Sequence, residues 1–302
     1  MSKINYHDPV LLESSVAALI TDPDGIYVDA TFGGGGHSQE ILNQLSPHGS
    51  LLAFDQDQDA VMNKIDDERL ILIEANFRDL KRYLKLYGVT EVSGVLADFG
   101  VSSHQFDAEG RGFSIRFNGP LDMRMDQQEE LDASKVVNTY SLEQLTQIFK
   151  NFGEVKGAYR IAEQIVIARE NQEIKTTQAL IDLLKPLIPE RFLNKTLAQV
   201  FQAIRIEVNQ ELEVIKAFLT QSSEVLKDKG RLVCISYHSL EDRLVKRFIR
   251  SGVFEGEAEE DFFGNRNCPF KKVGKLIVPD QEEIKRNSRA RSAKLRIAEK
   301  NE

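Results

Sequence analysis

Apolar residues along this chain fall first into short unbroken runs and later into helical intervals. Ile26-Tyr-Val-Asp-Ala-Thr-Phe32, Leu51-Leu-Ala-Phe-Asp55, Leu70-Ile-Leu-Ile-Glu74 and Gly94-Val-Leu-Ala-Asp98 are of strand length, with almost no polar alternation. Strands of that kind belong to a parallel sheet covered on both faces. Between them, His37 to Leu45 and Leu80 to Tyr87 space their apolar residues for helices. Such alternation builds right-handed βαβ units, whose ligands gather at the carboxyl ends of the strands where the strand order reverses. Asp29, Asp55 and Asp98 are all expected at or near those ends and therefore mark one site.

The alternation then stops. Phe106 to Met125, rich in glycine, arginine and aromatic residues, predicts an ordered loop. Ser141 to about Leu187 is helical, with Leu142, Leu145, Ile148 and Phe149, then Ile161, Ile165 and Ile167-Ala168 in register, and Pro186 and Pro189 punctuate its end. Thr196 to Lys227 is helical again, with Ile204, Val208, Leu212, Ile215 and Leu219 on one stripe that reads as core. Strand pattern returns at Arg231–Ser236, then a helix over Leu240 to Arg250, then short strands at Lys275–Val278 and Ala293–Ile297. The prediction is an α/β protein: a doubly wound, mostly parallel sheet from residues 1-106 and 212-302, interrupted by a helical insertion at 107-211.

Candidate chemistry concentrates between Ile26 and Asp57. Gly33, Gly34, Gly35 and Gly36 follow the first strand directly, and glycines let backbone approach a ligand and take φ > 0. Asp55 ends the second strand about 20 residues on, where an acid binds both hydroxyls of a ribose. A dinucleotide fingerprint wants Gly or Ala where this chain has Ser38, and no P-loop lysine follows. A nucleoside without phosphate, such as S-adenosylmethionine, needs only the close turn and the acid. A flexible surface loop is the plain alternative for the glycine run.

Composition narrows the class. Hydrophobic content of 41% with 28% charged residues describes an ordinary soluble chain, and no apolar run approaches the ~20 residues of a membrane helix. The N-terminus lacks a signal-peptide pattern, so a cytoplasmic location is expected. Cys234 and Cys268 form no Cys-x-x-Cys pair, and neither a disulfide framework nor a metal site is expected. The net charge of −8 argues mildly against nonspecific nucleic-acid binding, yet it is unevenly spread. Glu255 to Asp261 is acidic, whereas Lys271 to Arg296 holds nine basic residues against three acidic ones, with Arg243, Lys246, Arg247 and Arg250 just upstream. These runs read either as solvated surface or as a basic face on an acidic protein.

Several separated blocks carry a resemblance: His7-Asp-Pro-Val-Leu-Leu12, Asp29-Ala-Thr-Phe-Gly-Gly-Gly-Gly-His-Ser38, Asp98-Phe-Gly-Val-Ser-Ser103, Arg111-Gly-Phe-Ser114, Gly119-Pro-Leu-Asp-Met-Arg-Met125, Phe201-Gln-Ala-Ile-Arg-Ile206 with Val208-Asn209, Ser236-Tyr-His-Ser-Leu-Glu-Asp-Arg243 and Ser288-Arg-Ala-Arg-Ser-Ala-Lys-Leu-Arg296. In this order, over nearly the whole chain, they resemble the bacterial ribosomal RNA small subunit methyltransferase H family. The resemblance implies a Rossmann-like class I methyltransferase domain split by a helical insertion that recognises substrate. It also implies transfer of a methyl group from S-adenosyl-L-methionine to the exocyclic N4 of one cytidine in the decoding region of 16S rRNA, leaving S-adenosyl-L-homocysteine. The partner would be 16S rRNA in the small ribosomal subunit, with oligomeric state open, a dimer included. Carried over by motif, Gly33, Gly35, Gly36, His37, Asp55, Phe77, Asp98 and Gln105 would contact the cofactor. Two positions depart from the family pattern: Val155 follows Gly153-Glu154 where a second acid is usual, and Ser288 follows Asn287 where proline is usual.

Cytosine N4 is a poor nucleophile, and an acceptor for its hydrogens would turn the lone pair toward the methyl carbon. Asp98 is the candidate for that catalytic role; binding the methionine part of the cofactor is the other reading. His238, after the fifth strand, is a second catalytic candidate that would contact the target base or phosphate, with Ser239 capping the next helix. His7 either lines the pocket or belongs to a plain N-terminal turn. Arg111, Arg116 and Arg124, interleaved with Phe113 and Phe117, suit single-stranded RNA, and a structural loop closing over the cofactor is the alternative. A nicotinamide-dependent dehydrogenase and a non-catalytic RNA-binding assembly factor are the competing functions.

Overall fold

The computed structural model describes residues 9–258 and 268–302; the expectations for His7 and for the acidic run from Glu259 to Asp261 lie outside them. The chain divides into two compact units, Met1–Gly100 with Leu212–Glu302, and Val101–Glu211. Helices α1 (Leu12–Leu19), α2 (Gly36–Gln44), α3 (Gln58–Val61) and α4 (Leu80–Leu86) precede the break. Within it lie α5 (Ser103–Asp107), α6 (Ala133–Thr139), α7 (Leu142–Asn151), α8 (Ala158–Arg169), α9 (Thr177–Leu184) and α10 (Leu193–Asn209). After it come α11 (Glu211–Val225), α12 (Ser239–Ser251) and α13 (Gln281–Arg286). None of these helices is long and apolar enough to cross a membrane.

The first unit is built on a seven-stranded sheet of β1 (Ile26–Asp29), β2 (Ser50–Asp55), β3 (Leu70–Glu74), β4 (Val92–Asp98), β5 (Leu226–Ser236), β6 (Phe270–Ile277) and β7 (Lys294–Lys300). Their order is β3-β2-β1-β4-β5-β7-β6. The first five strands run parallel, and β7 lies antiparallel between β5 and β6. This is the Rossmann-like class I methyltransferase arrangement. The order reverses between β1 and β4, which places the ligand crevice at the carboxyl ends of those two strands.

Alternate residues of the central strands feed two separate cores, which is why they are apolar throughout. Val28, Leu52, Val95, Ala97, Leu232 and Cys234 meet Leu80, Leu84, Phe218 and Val245 on one face. Tyr27, Leu51, Ala53, Leu96, Val233 and Ile235 meet Val16, Leu19, Ile41 and Leu42 on the other. Each such leucine or valine, taken fully out of water, stabilises the fold by roughly 1.5–3 kcal/mol. Both cysteines are free; Cys234 is buried, and burial pushes its thiol well up from its ordinary value.

The second unit has its own core of Leu145, Phe149, Ile161, Ile165, Leu180, Val200 and Ile204. Its long loop is ordered by main-chain contacts. The Arg111 guanidinium donates to the carbonyls of Arg124 and Met125 at 3.0 and 3.1 Å. Asn209 accepts from Met125 N–H at 2.7 Å and donates to the Met123 carbonyl at 2.8 Å. A Cβ on Gly119 would lie 2.0 Å from the Glu109 carbonyl oxygen, so no larger residue fits that crossing. Phe106 to Met125 is therefore a laced loop, with a short helix and a 3₁₀ turn at its start.

Candidate active site

At the switch point β1 stops at Asp29, three residues short of the predicted Phe32, because the Asp29 carboxylate turns the chain by accepting Thr31 N–H at 3.1 Å. The same buried carboxylate accepts the Ser38 hydroxyl at 2.7 Å, tying α2 to β1. Ser38, off-pattern for a dinucleotide site, thus has a structural employment. Burial raises the Asp29 pKa, opposed by His37 and by the bonds from Ser38 and Thr31. The glycine turn has φ +52° at Gly33 and +77° at Gly35, the left-handed region that side chains resist. A Cβ would lie 2.9 Å from the Phe32 ring at Gly35 and 2.1 Å from Pro9 Cγ at Gly36, whereas at Gly33 the nearest atom is 4.0 Å away. Gly35 and Gly36 are therefore fixed by the protein's own packing, whereas Gly33 has open space beside it among the described residues. His37 is buried, its Nε2 3.1 Å from the Val10 carbonyl.

Asp55, at the tip of β2, is half-buried. Its Oδ2 accepts Gly33 N–H at 2.8 Å and its Oδ1 accepts Asp57 N–H at 2.9 Å. Burial raises it to about 6; the two N–H groups pull it down, and the charges of Asp57 and Asp29 push it up. The carboxylate is thereby rigid, with a lone pair left on each oxygen for a pair of hydroxyls. Beyond β3, Phe77 packs edge-on to Phe218 at 5.4 Å and lies 6.2 Å from Phe99. Those contacts fix a half-buried ring.

Asp98 ends β4, and its N–H donates to Thr31 Oγ1 at 2.8 Å. The carboxylate accepts the Tyr237 hydroxyl, while Oδ1 is buried with no partner among the described residues. An unfilled buried acceptor costs about 1–3 kcal/mol, so this oxygen is poised for a donor. Burial raises Asp98 to about 6, opposed by His37 and the Tyr237 bond and assisted by Asp29 and Glu241. Burial and the Asp98 charge hold the Tyr237 phenol far above its ordinary value, so it remains a donor at every ordinary pH.

A raised carboxylate destabilises the protein that must ionise it. The folded state holds the Asp98 proton more tightly than the unfolded chain between its ordinary 3.8 and about 6. Stability therefore falls as pH rises through that window, and the loss persists above it. Asp98→Asn should raise the melting temperature at pH 7.5 and leave it almost unchanged at pH 4. Scanning calorimetry at the two pH values checks this, and equal shifts at both would contradict it.

His238 ends up as the N-cap of α12, with extended backbone, and it closes a capping box with Glu241. This corrects the expectation that Ser239 is the cap: Ser239 is the first helical residue, because Glu241 stands at the third position after His238, where a capping box requires it. Glu241 Oε2 accepts the N–H groups of Tyr237 and His238 at 2.8 and 3.2 Å, and its Oε1 lies 3.0 Å from His238 Nε2.

The structure thus brings Gly33, Gly35, Gly36, His37, Asp55, Phe77, Asp98 and His238 to one edge of the first unit's sheet. Thr31 and Tyr237, which pattern reading passed over, join them; Tyr237 lies one residue past the apolar run of β5, and that position was its only signal. Gln105 belongs to the second unit, where it is buried and its Oε1 accepts Ser102 N–H at 3.1 Å. In the same unit Arg111 is buried against backbone carbonyls. Arg124 makes a two-pronged pair with Asp122 at 2.9 and 2.7 Å; burial would raise Asp122, but the guanidinium outweighs it and holds the acid low. Arg116 is the exposed member of the three.

Similarity to known proteins agrees with this geometry. The model of a family described as the MraW methylase family matches residues 5–301. The chain is 60% identical over 297 residues to the ribosomal RNA small subunit methyltransferase H of Flavobacterium johnsoniae, covering 98% of each. It is 60% identical to the protein of that name from Christiangramia forsetii over 300 residues, 99% of each. To that from Bacteroides fragilis strain YCH46 it is 53% identical over 296 residues, 98% of this chain and 97% of the relative.

Proposed function

The chain belongs to the MraW methylase family, and from that premise we propose that it methylates the exocyclic N4 of a cytidine in the decoding region of 16S rRNA, using S-adenosylmethionine. The observation that carries the chemistry is the buried, unfilled Oδ1 of Asp98 at the reversal point of the sheet. A site that places a desolvated anionic acceptor beside a nucleoside cradle is suited to an amine donor.

The residues present fit an adenosine-bearing sulfonium. Asp55 would accept the ribose hydroxyls, the open space beside Gly33 would admit the nucleoside close to backbone, and Phe77 would wall the adenine. Gln105 is assigned to the cofactor on its motif. When bound, S-adenosylmethionine supplies an electrophilic methyl group. Asp98 accepts the hydrogens of the incoming amine and so turns its lone pair outward, with Tyr237 fixing the carboxylate. His238 is assigned to the target nucleotide, its ring oriented by Glu241. Recognition of rRNA is assigned to the second unit, with Arg116 on the RNA.

Purified protein, labelled S-adenosylmethionine and small subunits lacking the modification provide the test, with mass-spectrometric mapping of the product nucleotide. One N4-methylated cytidine in 16S rRNA is expected. A protein that binds the cofactor but labels no rRNA in any assembly state would instead be a non-catalytic assembly factor.

A further inference from the structure

Outside the site, a cluster of cationic residues in the first unit lines a groove between α12 and the β6–β7 hairpin. Lys246, Ile249 and Arg250 form one wall, Lys272, Val273, Lys275 and Leu276 the other, and Phe270, Arg296 and Ile297 the floor, around a volume of about 370 Å³. None of the described residues lining it is acidic. Arg296 is committed to Asp242 at 2.7 Å, whereas Lys246, Arg250, Lys272 and Lys275 are all exposed. Four cations converging on a chain of net charge −8 reflect local placement and not a general excess.

The groove also leads to the site. Along β7, Lys294 pairs with Ser236 of β5 and Leu295 with Ile277 of β6. The upper end of the hairpin therefore lies beside the residue preceding Tyr237, whose hydroxyl holds Asp98. A chain lying in the groove would run along the hairpin toward the reacting edge.

We propose that this groove binds the sugar–phosphate backbone of a single-stranded segment of the RNA substrate flanking the methylated nucleotide. The inference rests on the rRNA reading above and adds a surface to it. Phosphates fit because the described lining offers four exposed cations and no carboxylate. Phe270, the one ring among the described lining residues, is 2% exposed and offers bases no face to stack on, so the contact made by the four cations is blind to base identity. Lysines on an edge strand also discourage strand addition, but that function asks nothing of Lys246 and Arg250 across the groove.

The test is the full-length variant Lys246→Gln, Arg250→Gln, Lys272→Gln, Lys275→Gln, assayed for methyl transfer to unmodified small subunits over a salt series. Its KM for subunits should rise about tenfold or more at physiological salt, while kcat and S-adenosylmethionine affinity stay at wild-type values. The log KM against log salt slope should shrink by up to about 3, at ~0.7 per lost single-strand phosphate contact. Restoring charge with Lys272→Arg and Lys275→Arg should leave KM unchanged. Removing two charges from α4, by Arg82→Gln and Lys85→Gln, should move neither KM nor slope. Unchanged KM and slope in the fourfold variant, or a change of oligomeric state without a change in KM, overturns the proposal. A wild-type protein that labels no rRNA overturns the underlying reading instead, so the two failures are distinguishable.

Discussion

Asp55→Ala should weaken S-adenosylmethionine binding by a factor on the order of 10²–10³. Two hydrogen bonds from hydroxyls to a carboxylate are worth roughly 1.5–3 kcal/mol each, and each 1.4 kcal/mol is tenfold in affinity. The lower part of that range applies, because Asp55 already spends lone pairs on Gly33 and Asp57 N–H. Those same bonds make a second contribution. Without the carboxylate, the Gly33 N–H loses its acceptor, and the turn that opens toward the nucleoside is no longer pinned to β2. Folding should suffer little, since the substitution also removes an acid that burial has raised to about 6. Isothermal titration with the cofactor, alongside a melting curve, measures both. Undiminished affinity in a folded protein would overturn the cradle assigned here, and with it the cofactor reading.

Much of this site was legible because parallel sheets write their topology plainly. Runs such as Leu51–Phe54 are apolar on both faces, and their acids mark the strand ends. What escaped did so for local reasons. β6 starts at Phe270, five residues before the predicted strand, because an edge strand with Lys271, Lys272 and Lys275 facing solvent shows no buried periodicity. β5 likewise begins at Leu226, before Lys227, Asp228 and Lys229 leave the sheet's apolar interior. Residue preference favours Ser239 as the cap, whereas the spacing to Glu241 puts the cap at His238. Arginines were harder still. Arg111, Arg116 and Arg124 are indistinguishable by composition, yet one is buried on carbonyls, one paired with Asp122 and one exposed. Only the folding of the laced loop separates them.

The three acids at the strand tips also explain why the site is costly and why it is kept. Asp29 is satisfied by Ser38 and Thr31 and so serves the scaffold. Asp55 and Asp98 are each raised to about 6, which means both are ionised at neutral pH against the cost of desolvation. A cationic ligand lowers that cost, and binding and ionisation are therefore coupled. Protonating Asp55 should appear in cofactor affinity, and protonating Asp98 in the chemical step, although both occur in the same pH range.

Asp98→Asn separates those two effects and carries the largest expected change in rate. Under single turnover with saturating cofactor, methyl transfer should fall by about 10²–10³, the range found when one oriented polar group is removed from a transition state. The amide keeps the Tyr237 bond and nearly the same shape, so what is lost is the negative acceptor at Oδ1. Where the amide nitrogen takes that position, a donor confronts the amine's own hydrogens. The pH profile gives the second signature. In the wild type at saturating cofactor, log rate should decline with unit slope as pH falls through the Asp98 pKa, which the bound cation holds below the free protein's value of about 6, whereas the asparagine variant should be flat there. Cofactor affinity measured in parallel identifies the donor that Oδ1 awaits. Affinity within a few-fold of wild type assigns it to the amino group of the target base. A large loss of affinity with the saturated rate preserved would reassign Asp98 to the cofactor's own ammonium, leaving the lone pair to be turned by backbone carbonyls at the same edge.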